Sequence, residues 1–110
     1  MLEPLSAPLQ NLLFEQRLCS PADLRRCRLL VRRLAADLPA FDSVWLDALV
    51  QFGRLTPFQV RILESASPHL IAAGPCVLVD QLGHGIHNRT FLGRHRGSTR
   101  TLALKLVPSV

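Results

Sequence analysis

Between residues 76 and 107 the apolar pattern of the sequence has a period of two and is interrupted only by glycine-containing turns. Successive residues of a strand point to opposite faces, so this pattern restricts the segment to strands. Residues 76–82 are rich in β-branched and aliphatic side chains, and residues 90–96 can pair with them. The connection runs Leu82-Gly83-His84-Gly85-Ile86-His87-Asn88-Arg89-Thr90-Phe91, a hairpin whose tip can approach a ligand closely. Gly97-Ser98 then turns the chain into residues 100–107, where Leu102, Leu104 and Leu106 fall on one face and Thr101, Ala103 and Lys105 on the other. Three antiparallel strands is the simplest arrangement of this segment.

Everything before it is helical in pattern. A proline-broken lead over 1–8 precedes a short helix over 9–18. Ser20-Pro21-Ala22-Asp23 supplies a helix start, with Ser as N-cap, Pro at the first helical position and an acid near the positive end of the dipole. Leu24, Cys27, Val31, Leu34 and Leu38 recur at helical spacing, Arg25, Arg26, Arg28, Arg32 and Arg33 occupy much of the remaining surface, and Pro39 ends the helix. A mostly buried helix over 43–52 carries Trp45, Ala48, Leu49 and Phe52 as one stripe, widened by Val44, Leu46 and Val50, and Gly53 stands where a left-handed cap is expected. Thr56-Pro57-Phe58-Gln59 has capping-box spacing and opens a third helix running to about residue 66, which adds Phe58, Ile62 and Leu63 to the same core.

The fold class expected is therefore α+β, a small N-terminal helical bundle followed by a three-stranded antiparallel sheet. Residues 1–19 form a poorly defined lead or short helix, 20–68 the helical segment, 69–75 a linker and 76–110 the strands.

With 110 residues and 48% hydrophobic content the chain can bury a core. Three cysteines without C-x-x-C spacing argue against a disulfide framework or a zinc knuckle and fit reduced thiols in a cytoplasmic protein. The start of the sequence lacks a basic leader region, and no run of about 18 apolar residues occurs, so neither a signal peptide nor a membrane span is expected. The net charge of +5 comes almost entirely from arginine and permits anionic partners. Nucleic-acid recognition by a helix-turn-helix needs polar readers on a second helix, and the second helix here is nearly all apolar, so nucleic acid is not expected as a partner. His84, His87, His95 and Cys76 spell out no compact metal-ligand quartet and are read as hairpin and strand residues, with no metal site. Cys19 and Cys27 are read as small core fillers rather than nucleophiles.

The missing side chains in Gly83-His84-Gly85 let backbone N–H groups come close to an anion. A lysine beside a small residue, opposite a leucine face, is either an exposed residue of a solvent face or a group reaching a ligand under the sheet.

Taken in order, these residues resemble the start of the Ser/Thr protein kinase fold in its bacterial form. The pattern of that family, L-G-x-G-x-x-G-x-V followed by A-x-K, is matched by Leu82-Gly83-His84-Gly85-Ile86-His87-Asn88-Arg89-Thr90 and then Ala103-Leu104-Lys105. Upstream, Trp45-Leu46-Asp47-Ala48-Leu49-Val50, Leu55-Thr56-Pro57-Phe58-Gln59 and Gly74-Pro75-Cys76-Val77-Leu78 are similar to the helical segment that precedes planctomycete-type kinase domains. The resemblance covers residues 20–110, and its kinase-specific part about 35 residues at the end. It implies that Leu82 and Ala103 contact an adenine ring, that the backbone of Gly83, His84, Gly85, Ile86, His87 and Asn88 covers phosphates, and that Lys105 pairs with the α and β phosphates of ATP. Asn88 stands in place of the third glycine, and Thr90 in place of the valine that packs on the base, which makes the adenine roof more polar.

No H-R-D or D-F-G pattern follows the lysine, so the chain alone is expected to carry no catalytic residue and to transfer no phosphoryl group, and ATP with Mg belongs to the parent family rather than to tight binding here. The sequence fits a front piece of a longer kinase, a truncated product or a decayed relative. The expected partner is then the remainder of a kinase domain. A second reading is a non-enzymatic helical interaction module with a vestigial sheet, whose partner is a protein bound by the helical segment. The unpaired edges of a three-stranded sheet suggest marginal order or self-association over 76–110.

Overall fold

The computed structural model describes residues 2–84 and 89–106. The chain is α+β: among the described residues four α-helices lead into one antiparallel sheet. Helices α1 (Ala7–Glu15), α2 (Pro21–Ala35), α3 (Asp42–Gln51) and α4 (Pro57–Leu63) are followed by a 3-10 turn at Pro68–Ile71. Strands β1 (Ala72–Ala73), β2 (Cys76–His84), β3 (Arg89–His95) and β4 (Thr101–Leu106) lie in the order β1-β2-β3-β4. Among the described residues the sheet thus has four strands, not three. The additional one consists of two alanines, too short to leave a period in the sequence, and falls within the stretch read as a linker.

Both helix starts expected from the sequence form full capping boxes. The Ser20 hydroxyl accepts from the Asp23 N–H while the Asp23 carboxylate accepts from the Ser20 N–H, and Thr56 and Gln59 do the same for α4. Gly53 follows α3 with φ +83°, a left-handed conformation that a side chain rarely adopts.

The end of α2 differs from the expectation. The helix stops at Ala35, because Ala36 turns to a positive φ of 52° three residues before Pro39. Leu38 therefore lies beyond the helix and is 70% exposed, and Leu34 is 39% exposed, so neither joins the core. Ala35 and Ala40 are buried in their place. Phe52 lies just past α3 and is partly exposed, and α4 ends at Leu63, short of residue 66.

The main core gathers Leu13 of α1, Cys27 and Val31 of α2, Trp45, Leu46 and Leu49 of α3, and Val60 and Leu63 of α4, with Ile71 and Val77 joining from the sheet side. The lead is part of this body. Leu5 is buried, the Ser6 N–H donates to Asp42 Oδ1 at 2.9 Å, and the Trp45 indole N–H donates to the Glu3 carbonyl at 2.9 Å. The Glu3 carboxylate accepts from the Ala40 N–H at 2.6 Å, and that hydrogen bond is the main reason its carboxyl is held below the usual range. Among the described residues no helix is long and apolar enough to cross a membrane.

Candidate functional site

Strands β2, β3 and β4 form the region to which the sequence assigns a ligand. Their register sorts side chains between two faces, since directly paired residues of antiparallel strands share a face. Phe91 pairs with Leu104 and Gly93 with Leu102, which sets the core face. Here Phe91, Leu78 and Phe58 of α4 form a second small core, with Ile62, Ala73 and Leu104 packed against it and the two phenylalanine rings 5.8 Å apart. Phe58 thus serves the sheet rather than the helical bundle, a correction to the single core expected. Gly93 is where this face leaves no room: a Cβ there would sit 2.3 Å from Leu104 Cδ1.

The opposite face carries the candidate residues. Thr90 pairs with Lys105 and Leu92 with Ala103, so Thr90, Ala103 and Lys105 lie side by side. Thr90 is partly buried, while Ala103 and Lys105 are exposed. Helix α4 packs on the other face, and at the far end of this one Val77, paired with Arg94, is buried in the main core. Lys105 is the sole lysine of the chain. Among the described residues the ion pairs both involve Asp23, so Lys105 has no carboxylate partner there.

Leu82 and Gly83 lie toward the end of β2, where the ladder shifts register between Gln81 and Gly83. Leu82 is 58% exposed and belongs to neither core. Gly83 has no left-handed φ, and a Cβ added there would meet nothing within 4 Å. Among the described residues neither packing nor backbone conformation therefore requires glycine at this position. The backbone of His84 pairs with Arg89. Gly85, Ile86, His87 and Asn88, the middle of the glycine loop, lie outside the described residues, as does Val107.

What holds this sheet against the helices was only half visible in the sequence. Beyond Val77, β2 has no β1 partner, and its carbonyls are taken by the α4 capping box. Gln59 Nε2 donates to the Leu78 carbonyl at 2.8 Å and the Thr56 hydroxyl donates to the Val79 carbonyl, beside the bulge between Leu78 and Asp80. Gln59 is 2% exposed, and a buried amide must satisfy both of its ends. The capping signal marks one end, and the apolar residues around Gln59 are the clue that the other needs a partner. A second tie is made by Arg96, which donates to Gln16 Oε1 at 2.6 Å and to the Gly74 carbonyl. Together these fix the sheet to both α4 and the end of α1.

The three cysteines are free and buried. Burial, reinforced by the nearby Asp23 charge, pushes the Cys19 thiol up to about 12 and raises that of Cys27 as well, the opposite of a nucleophile's environment. Asp23 itself is driven upward by burial, but the Ser20 N–H and hydroxyl and the Arg54 guanidinium outweigh this and leave its carboxyl below the usual range. No group of three potential metal ligands occurs among the described residues, and although Cys76 and His95 are paired in register, no third ligand joins them.

Comparisons with protein families, with curated proteins and with solved structures found no match for this chain.

Proposed function

We propose that the chain is the N-terminal part of a bacterial-type Ser/Thr protein kinase, in which a helical segment precedes the strands that cover a nucleotide. The observation that carries this reading is the register that sets Thr90, Ala103 and Lys105 on one face of the sheet, where Ala103 and Lys105 are exposed, with Leu82 and Gly83 toward the end of the neighbouring strand. A nucleotide under this face would place its base against Ala103 and Leu82 and its phosphates beneath the β2–β3 connection. Lys105 would supply a cationic side chain that reaches the phosphates. Among the described residues nothing crowds Gly83, which supports the same reading, since such a glycine leaves room for a ligand's close approach. The role proposed for this chain is binding and orientation, with the catalytic groups and the Mg ligands supplied by the remainder of a kinase domain.

Because Lys105 is the sole lysine, an amine-reactive label tests the proposal directly. ATP is expected to protect Lys105 from modification, as read by mass spectrometry of the peptide that carries it, and Lys105→Ala is expected to weaken ATP binding about tenfold, the scale of one charge-assisted contact. Labelling at an unchanged rate in saturating ATP, or binding unaffected by Lys105→Ala, would favour the non-enzymatic interaction module instead.

A further inference from the structure

A concave site lies away from the sheet, and none of its lining residues belongs to a strand. It is a cavity of about 520 Å³ enclosed by the lead, α1, α2 and α3, within the range of about 300–1,000 Å³ that suits a small ligand. Its apolar lining includes Phe14, Leu24 and the buried Trp45, and the exposed Arg25, Arg28 and Arg32 line it as well. These arginines are spaced three and four residues apart, which stacks them along one side of α2. All three are exposed, no carboxylate lines the cavity, and none of the three forms an ion pair among the described residues. Asp23, the acid nearest in sequence, is shared between Ser20, Arg26 and Arg54, and Glu3 of the lead accepts from the Ala40 N–H. Three like charges held together beside an apolar lining repel one another, and an anion with an apolar body relieves that repulsion while covering the lining.

We infer that this groove is a binding site for a small anionic amphiphile, a phosphate or carboxylate head on an apolar chain, with Arg25, Arg28 and Arg32 gripping the head and Phe14, Leu24 and Trp45 taking the chain. The inference is independent of the kinase reading, because it uses no residue of the strands.

Trp45 is the single tryptophan, so its fluorescence reports occupancy of the groove without any label. The full chain is titrated with octyl phosphate below its micelle concentration, and with octanol and inorganic phosphate as the two halves of the ligand. Octyl phosphate is expected to give a saturable one-to-one change, octanol and inorganic phosphate far weaker responses. The Arg25→Gln, Arg28→Gln, Arg32→Gln triple variant is expected to bind octyl phosphate about tenfold more weakly, since each exposed guanidinium–anion contact contributes roughly two- to threefold. Equal affinity for octanol, a full response to inorganic phosphate alone, or a triple variant within about twofold of the parent overturns the assignment. Should the triple variant lose its helical circular dichroism, the parent chain decides: raising salt from ~20 to ~200 mM weakens octyl phosphate severalfold, and insensitivity to salt overturns the assignment.

Discussion

Replacing Gln59 by leucine tests whether a polar clamp, rather than apolar packing alone, fastens the sheet to the helices. Gln59 is buried, accepts from the Thr56 N–H at 2.9 Å and donates to the Leu78 carbonyl at 2.8 Å. Leucine fills a similar volume but leaves the Leu78 carbonyl buried without that donor, a loss of about 1–3 kcal/mol. It also removes half of the α4 capping box, worth about 0.5–1 kcal/mol, while extra apolar burial returns up to about 1 kcal/mol. The net expectation is a loss of about 2 kcal/mol, a large share of the ~5–15 kcal/mol that holds a domain of this size. Urea denaturation followed by Trp45 fluorescence reads it as a midpoint lowered by about 1 M at unchanged slope. Gln59→Glu supplies the control. Its carboxylate still accepts from Thr56 but faces the Leu78 carbonyl without a proton, so its folded pKa is raised; stability is present at low pH, where the protonated carboxyl donates, and is lost as pH rises through that value. A Gln59→Leu unfolding free energy within about 0.5 kcal/mol of the parent's would refute the clamp.

Other outcomes follow from the same geometry. Asp23→Asn is expected to cost about 1 kcal/mol near neutral pH; because the folded carboxyl lies below its ordinary value of 3.8, that cost is constant above this value and shrinks as pH falls through the folded one, as urea midpoints at about pH 7 and about pH 3 would show. Gly93→Ala is expected to destabilise by about 1–3 kcal/mol through collision with Leu104, and the double variant with Leu104→Ala to be less destabilised than the sum of the two single changes. Cys19, buried and pushed up to about 12, should react with a thiol reagent at neutral pH only as fast as the chain opens, so its labelling rate should rise with urea in step with unfolding.

The elements that local chemistry specifies were legible in the sequence. Ser20 with Asp23, Thr56 with Gln59, and Gly53 each mark a boundary through hydrogen bonds or a backbone angle fixed within a few residues, and each stands where expected. The alternation of β4 likewise separates Leu104 on the core face from Lys105 on the other. What escaped depends on distant partners. Leu34 and Leu38 follow the helical period, yet Ala36 ends α2 before the second of them, and the core closes over Ala35 and Ala40 instead. The lead, with its prolines, gives no periodic signal, and its place in the core rests on contacts of Glu3 and Ser6 with residues some 40 positions away. The arginines of α2 were visible as a basic side, but only the packing of the lead and α1 beside them makes a cavity.

Amide NMR of the chain during titration with ATP tests the central proposal most directly, because it locates the ligand as well as detecting it. The account predicts that resonances of Leu82, Gly83, Thr90, Ala103 and Lys105 move together and saturably, while those of the α3 core do not, and that Lys105→Ala suppresses the movement. Resonances on β2, β3 and β4 that stay fixed in saturating ATP, or that move equally in the Lys105→Ala variant, would contradict it.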